Sequence, residues 1–381
     1  MLKVVHIITK LELGGAQINT IYTYEHLDDS QFEAYLFSGP GGILTDKIEK
    51  KDRFIIVKNL VRPISPIKDL KTFLLLRKLL KKIGPDIVHT HSSKAGIMGR
   101  LAAAAARVPV IIHSVHGFSF SPFQSLLKRT FFLTAEKLVS RLTDHFIFVA
   151  AGDIRAARDK KLIKKNKTNF SLIRSGFPMK KFLEKKPDIH ALRARFAVKE
   201  TDFVCGIIAP FKPQKGLFHL IEIAALVLAA KENKKNIVFF LAGDGDLRPA
   251  LEARLKEKGI AENFRLPGFV FDIEEVIDIF DLGVSTALWE GLPQSLVQLR
   301  LKKKPVVASD IAGNREVIKD NENGFLVDVF DYKTFAERIL HLVNDGAARE
   351  RLAVFAEDFS QWDADYMVRQ QENLYLSLTR E

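Results

Sequence analysis

The sequence predicts an α/β protein built from two doubly wound domains, and three observations carry that expectation. At 381 residues the chain exceeds what one ordinary core encloses and is about the size of two α/β domains. Short runs rich in β-branched and aromatic residues alternate with longer stretches of helical spacing, which is the rhythm of a parallel sheet. That rhythm breaks at a lysine-rich stretch, 178–188, punctuated by Pro178 and Pro187, and then starts again.

In the first half, strands are expected at 4–9, 34–38, 54–57, 87–91, 110–115, 146–150 and 170–173. Helical spacing fills 16–27, 67–82 and 94–107, and Gly84-Pro85 ends the second of these sharply. In the second half, strands are expected at 203–209, 237–242, 282–286, 306–309 and 324–329, with helices at 217–231, 247–258, 293–302 and 332–343. The domains are drawn as 1–185 and 186–360, with a cleft between them and a C-terminal helix over 361–381 that could cross back to the N-terminal domain.

Apolar residues make up 47% and charged residues 27%, the balance of a soluble chain with a large core. The longest apolar runs, such as 101–106 and 224–230, fall far short of the ~20 residues that span a bilayer. The N-terminus enters a β-like run without a signal-peptide pattern, so the cytoplasm is the expected compartment. The single cysteine, Cys205, lies in an apolar run and is expected to pack as a small hydrophobe rather than act as a nucleophile. Residues 1–190 carry 33 Lys and Arg against 16 Asp and Glu, whereas residues 191–381 carry 25 against 30. A basic half suits phosphate-bearing substrates, anionic lipid or nucleic acid, and equally serves solubility. With no RNA or DNA motif in the sequence, nucleic acid is set aside as a partner.

Several segments could carry chemistry. Gly14-Gly15 follows the first strand and precedes a helix, where backbone N–H groups can approach a phosphate or sugar; a plain β-α turn also favours glycine there. Lys212 and Lys215-Gly216 follow the first strand of the second half, in a proline-fixed loop suited to a diphosphate or simply to solvent. Trp289-Glu290-Gly291-Leu292-Pro293 links a strand to a helix that Pro293 can begin, and Gln298 lies early enough in that helix to reach the same ligand as Glu290. Asp244-Gly245-Asp246 has the form of a metal-binding pair but reads as a glycine-rich turn in which Asp246 is a plausible N-cap. His89, His91, His113 and His116 fall at strand ends without a metal-ligand spacing. His116-Gly117 is the candidate for sugar contact, and the other three read as structural.

Taken in order, these segments resemble glycosyltransferase family 4, retaining enzymes of the GT-B fold, in which two Rossmann-like domains face each other across a cleft. The resemblance runs nearly end to end. It rests on Gly14-Gly15-Ala16, His89-Thr90-His91-Ser92-Ser93-Lys94-Ala95-Gly96, Val115-His116-Gly117-Phe118, Ile173-Arg174-Ser175-Gly176, Gln214-Lys215-Gly216, Ala242-Gly243-Asp244-Gly245, Glu290-Gly291-Leu292-Pro293 and Gly313-Asn314-Arg315-Glu316-Val317. The histidine-bearing pieces look most like enzymes that build bacterial exopolysaccharide, capsule or O-antigen.

The resemblance implies a sugar-nucleotide donor, most simply a UDP-sugar, a lipid-linked or glycan acceptor, and no metal or other cofactor. It implies that Lys215 binds the diphosphate, with Lys212 beside it, that Glu290 contacts the donor sugar together with Gly291, Leu292 and Pro293, and that His116 holds the sugar from the N-terminal side. Gly14 and Gly15 would approach the phosphate or sugar, Gly268 and Phe269 would lie near the base, and His91, Lys94 and Phe118 would sit on the acceptor side. Gln298 stands where the family usually has a glutamate that accepts from ribose hydroxyls, so one acceptor oxygen remains without its charge. Pro210 replaces a usual basic residue, Ala312 a usual glycine and Ser175 a common asparagine. These departures leave a non-catalytic relative that binds a sugar nucleotide or glycan as the alternative. A second is a phosphorylase or sucrose-type enzyme.

The basic half and the stretch 118–132, where aromatics interleave with Lys128 and Arg129, also suggest a peripheral position on an anionic inner-membrane face. The competing reading makes Phe123, Leu126, Leu127 and Phe131 the core face of an amphipathic helix.

Overall fold

A strand covered on both faces needs a near-continuous apolar run, and Leu2–Ile8 has one, with five consecutive buried residues. In the computed structural model, which describes residues 1–118, 125–163, 169–184, 186–230 and 235–379, this strand (β1) is an interior strand of a parallel sheet. Chain-order elements follow as α1 (Gly15–His26), β2 (Phe32–Ser38), β3 (Phe54–Ile56), α2 (Pro66–Ile83), β4 (Ile87–His91), α3 (Ser93–Ala106), β5 (Val110–Val115), α4 (Leu126–Ser140), β6 (His145–Phe148), α5 (Ala151–Asp159) and β7 (Phe170–Leu172). The sheet order is β3-β2-β1-β4-β5-β6-β7, so the direction of winding reverses between β1 and β4. In open α/β sheets, ligands bind beyond the carboxyl ends of the strands at such a reversal.

The second unit contains α6 (Met179–Glu184), α7 (Ile189–Arg195), β8 (Phe203–Ile208), α8 (Leu217–Ala229), β9 (Ile237–Ala242), α9 (Arg248–Glu257), β10 (Phe264–Gly268), α10 (Ile273–Val276), β11 (Leu282–Ser285), α11 (Gln294–Leu301), β12 (Val306–Ser309), β13 (Gly324–Val327), α12 (Tyr332–Asn344) and α13 (Gly346–Ala353). Its sheet order is β10-β9-β8-β11-β12-β13, with the reversal between β8 and β11. The last helix, α14 (Ala364–Thr379), belongs to the first unit: the units are Met1–Phe177 with Ser360–Glu381, and Pro178–Phe359. Gly176 makes the return possible, because a Cβ there would sit 2.6 Å from the Cα of Ala364.

Some expectations need correction. The stretch 178–188 is not a plain linker: α6 forms within it and buries Phe182 beneath Lys302, so the chain changes unit at Phe177–Pro178 and not at 185–186. β10 has no counterpart in the sequence reading because Pro267 lies inside it; an edge strand tolerates the missing donor, and its register shifts there. The N-cap of α9 is Leu247 and not Asp246, and that of α11 is Pro293, which precedes the helix instead of beginning it. Finally, Leu126, Leu127 and Phe131 of α4 are exposed, not its core face, while Glu136 and Val139 are buried. Phe120 and Phe123 lie outside the described residues. Among the described residues, no helix is long and apolar enough to cross a membrane.

Glu136 is buried for a reason. The fully buried guanidinium of Arg100 donates to both its oxygens, at 2.8 and 2.9 Å, to the Gly96 carbonyl at 2.7 Å and to Thr143 Oγ1 at 3.2 Å. Glu136→Ala strands that charge, so the urea midpoint of the first unit is expected to fall by the equivalent of about 3–5 kcal/mol. An unchanged midpoint would mean that solvent reaches Arg100 in the variant.

Candidate active site

In the second unit, the chain leaves β8, makes a short 3-10 turn at Pro213–Lys215 that Lys212 opens, and enters α8 through Gly216. Gly216 has φ +60°, and a Cβ on it would lie 2.1 Å from the Thr286 carbonyl oxygen; left-handed backbone and close approach both require glycine. The loop after β11 is stitched to this turn. Leu288 N–H donates to the Gln214 carbonyl at 2.8 Å, Thr286 Oγ1 donates to the Lys215 carbonyl at 3.1 Å, and Gln214 Nε2 donates to the Trp289 carbonyl at 2.8 Å.

The result is a cation and an anion held together at the reversal point. Lys215 Nζ donates to Glu290 Oε1, and Gln214 Nε2 donates to Oε2 at 3.2 Å. Their side chains are 17% and 10% exposed, so each charge is mostly removed from water and is balanced by the other. Gly291 and Pro293 are buried and Leu292 is half-buried in the loop that follows. Gly313, whose role no local pattern shows, supports this loop: a Cβ on it would lie 2.6 Å from the carbonyl oxygens of both Glu290 and Gly291. Gln298 is half-buried on α11, beyond the loop.

Gly268 and Phe269 lie at the other side of this sheet, two strands from β8. Gly268 has φ +86°, its carbonyl accepts from Gly243 N–H at 2.8 Å, and Phe269 is 40% exposed. Beside them, Asp244 accepts from Gly245 N–H at 2.7 Å and from Arg248 Nε at 2.9 Å, and the guanidinium holds its carboxyl below the usual carboxylate range. That commits Asp244 to a turn and an i,i+4 ion pair. Cys205 is buried within β8, which pushes its thiol well up.

In the first unit, Gly14 caps α1 with extended backbone, and Gly15 is the helix's first residue, after the loop 9–14 that leaves β1. Next to it, β4 and β5 carry a buried cluster of histidines. His6 on β1 pairs in register with His89, and His91 with Ser114, which sets their side chains on one face. His89 is met at both nitrogens, by Tyr375 Oη at 2.6 Å and Ser114 Oγ at 2.7 Å. His6 Nδ1 lies 3.1 Å from His91 Nε2, and His91 Nδ1 lies 3.3 Å from His116 Nε2. His113 points the other way, 2.9 Å from Thr90 Oγ1. Burial holds His6 down at about 3 and His116 at about 4, and His89, His91 and His113 well below their ordinary value, so these rings are neutral near pH 7.

His6, His89 and His91 bring nitrogens within 4.8 Å of one another, a spacing that could hold a metal ion. His6 Nε2 has no partner among the described residues, but both ring nitrogens of His89 and both of His91 are already engaged, so an ion would have to break those contacts to gain more than one ligand. His6 and Tyr375 escape a sequence reading, because their membership depends on β1 lying beside β4 and on α14 returning to the first unit. Lys94 is engaged in the scaffold, with Asp69 at 2.6 Å and the Pro63 carbonyl. Phe118 packs on Phe148, at 6.4 Å between ring centroids.

Comparison with known proteins agrees with this architecture. Residues 13–169 match the family described as Glycosyltransferase Family 4, and residues 188–359 match Glycosyl transferases group 1. The UDP-Gal:alpha-D-GlcNAc-diphosphoundecaprenol alpha-1,3-galactosyltransferase of Escherichia coli is 30% identical over 347 residues, 90% of this chain and 88% of that protein. The N,N'-diacetylbacillosaminyl-diphospho-undecaprenol alpha-1,3-N-acetylgalactosaminyltransferase of Campylobacter jejuni is 27% identical over 92% of each chain. Among solved structures, Anabaena HepE in complex with UDP and glucose has a TM-score of 0.83 at 20% identity, covering 99% of this chain and 100% of that one, a likeness of fold.

Proposed function

Because the chain belongs to the family 4 glycosyltransferases, with a group 1 C-terminal half and the GT-B fold, it is an enzyme of that class, and we propose that it moves a sugar from a UDP-sugar to a lipid-linked or polysaccharide acceptor in bacterial cell-surface glycan synthesis. The observation that carries the donor half of this reading is the Lys215–Glu290 pair at the β8/β11 reversal. A diphosphate would take the ammonium, and the carboxylate so released would accept from hydroxyls of the donor sugar. Gly268 and Phe269 would lie by the base, and Gln298 would accept from one ribose hydroxyl. Transfer would retain anomeric configuration and need no divalent metal, since the lysine supplies the positive charge at the leaving phosphate. The names of the two bacterial relatives, both of which act on diphosphoundecaprenol-linked sugars, support the lipid-linked acceptor.

Calorimetry with UDP tests the donor site. Lys215→Ala is expected to weaken UDP binding by roughly 10-fold or more, the worth of one charge-assisted contact to phosphate. Equal affinity would remove Lys215 from the phosphate site.

An acceptor embedded in a bilayer requires the enzyme to reach it, and α4 offers the means. Leu126, Leu127, Phe131 and Leu138 are 77%, 86%, 53% and 61% exposed, on a helix that also carries Arg129 and Lys137. We place this face against anionic lipid, where each nearby cation adds ~1 kcal/mol. Co-sedimentation with anionic vesicles is expected, weakening as salt rises; failure to bind at low salt would remove the membrane from the proposal and leave the transferase.

A further inference from the structure

We infer that His116 is held as the Nδ1–H tautomer by a chain of imidazoles running from His6 through His91, and so meets its ligand as a hydrogen-bond donor and not as a general base. The inference rests on the proposed function only for the ligand, an oxygen acceptor on a sugar or its phosphate; the tautomer is a property of the free protein.

His6, His91 and His116 are joined by two nitrogen-to-nitrogen contacts, at 3.1 and 3.3 Å. Burial keeps all three rings neutral, so each brings one N–H and one lone pair. Two contacts consume two of each. One N–H and one lone pair are left over, necessarily at opposite ends of the chain, and only two arrangements exist. In one, the spare N–H is at His6 Nε2; in the other, it is at His116 Nδ1.

Among the described residues neither terminal atom has a partner and both are buried, but the ends differ. His6 is 0% exposed in the middle of β1, and of the two orphans a buried N–H without an acceptor is the rarer in folded proteins. His116 follows the carboxyl end of β5 and is half-buried, next to the exposed Gly117. The spare N–H belongs at that end, where Nδ1 itself is covered but the ring is partly open and the next residue is exposed, so a ligand reaches it once His116 shifts. Each ring then donates through Nδ1, and Nε2 of His116 is occupied in accepting from His91. With no lone pair left facing outward, His116 cannot take a proton from an acceptor hydroxyl. His6 and His91 are thus positioning residues, acting on the ligand through His116.

Long-range 1H–15N correlation on protein labelled with 15N-histidine reads tautomers directly. The expected result is Nδ1–H for His6, His91 and His116 in the ligand-free protein. An Nε2–H signature at His116 overturns the inference. In His91→Phe the chain is cut, and His116 is expected to revert to the Nε2–H form that imidazole favours in water. In a transfer assay, His91→Phe and His116→Ala are each expected to lower kcat/KM by roughly 10- to 100-fold, with the double variant no lower than the worse single one; multiplicative losses would contradict action through His116. Should His91→Phe fail to fold, the wild-type spectrum decides by itself. Absence of transfer with every donor would remove the proposed function and leave the tautomer measurement standing.

Discussion

Glu290→Gln is expected to slow sugar transfer by roughly 100-fold or more, about 3 kcal/mol of lost transition-state stabilisation, while leaving UDP binding equal or several-fold tighter. In the free protein the carboxylate competes for the lysine that the diphosphate needs: Lys215 Nζ sits on Oε1 while Gln214 holds Oε2 at 3.2 Å. Glutamine keeps the shape and one acceptor oxygen but loses the charge, so Lys215 is released to phosphate more easily. The same loss weakens the bonds that a released carboxylate would make to donor hydroxyls as charge develops at the anomeric carbon. UDP calorimetry and a transfer assay on one preparation separate the two effects. Weaker UDP binding with normal transfer would make Glu290 a strut for the loop.

Acid is expected to unfold the first unit before the second. His6 and His116, at about 3 and 4, and His89, His91 and His113, well below their ordinary value, lie in the first unit, and His145, at about 4, joins them. Their unfolded value is near 6.5. Between 6.5 and the folded values the unfolded chain binds more protons, so stability falls as pH falls through that window. Each ring contributes up to about 1.4 kcal/mol per pH unit. His6 and His116 together give roughly 2.7 kcal/mol per unit between about pH 6 and 4, and the other buried rings steepen this further. Against a total stability of roughly 5–15 kcal/mol, unfolding of this unit is expected near pH 4.5–5. Among the described residues of the second unit, burial lowers a single histidine, His219, against six in the first, and the lowered carboxyls are those of Glu222, Asp244, Asp310 and Asp331, whose contributions are present above about pH 4 and are lost below it. Each unit has one of the two tryptophans, Trp362 in the first and Trp289 in the second. Fluorescence of Trp289→Phe and Trp362→Phe therefore reports each separately. Coincident transitions, or a Trp362 signal steady to pH 4, would refute the assignment.

The sequence by itself determined what depends on neighbours along the chain. β4, β5, β9 and β12 run over the residues that their apolar, β-branched patterns mark, and the helix ending at Ile83 stops at Gly84, which takes φ +61°. Lys215, Glu290 and His116 were legible as candidates because each follows a strand, where an open α/β sheet binds its ligand. Tertiary structure alone decided which of them meet. Lys215 and Glu290 are 75 residues apart and touch only because β8 and β11 are neighbours, and Gly313 matters only because its backbone passes beneath the Glu290 loop. His6 is one polar residue in an apolar strand and joins the histidine cluster only because β1 lies against β4, and Tyr375 joins it only because α14 returns to the first unit. The sequence expresses periodicity and turn chemistry, which act over a few residues. Register between strands is chosen by the burial of whole faces at once, and that choice places a proton-sharing row of histidines where no local pattern marks one.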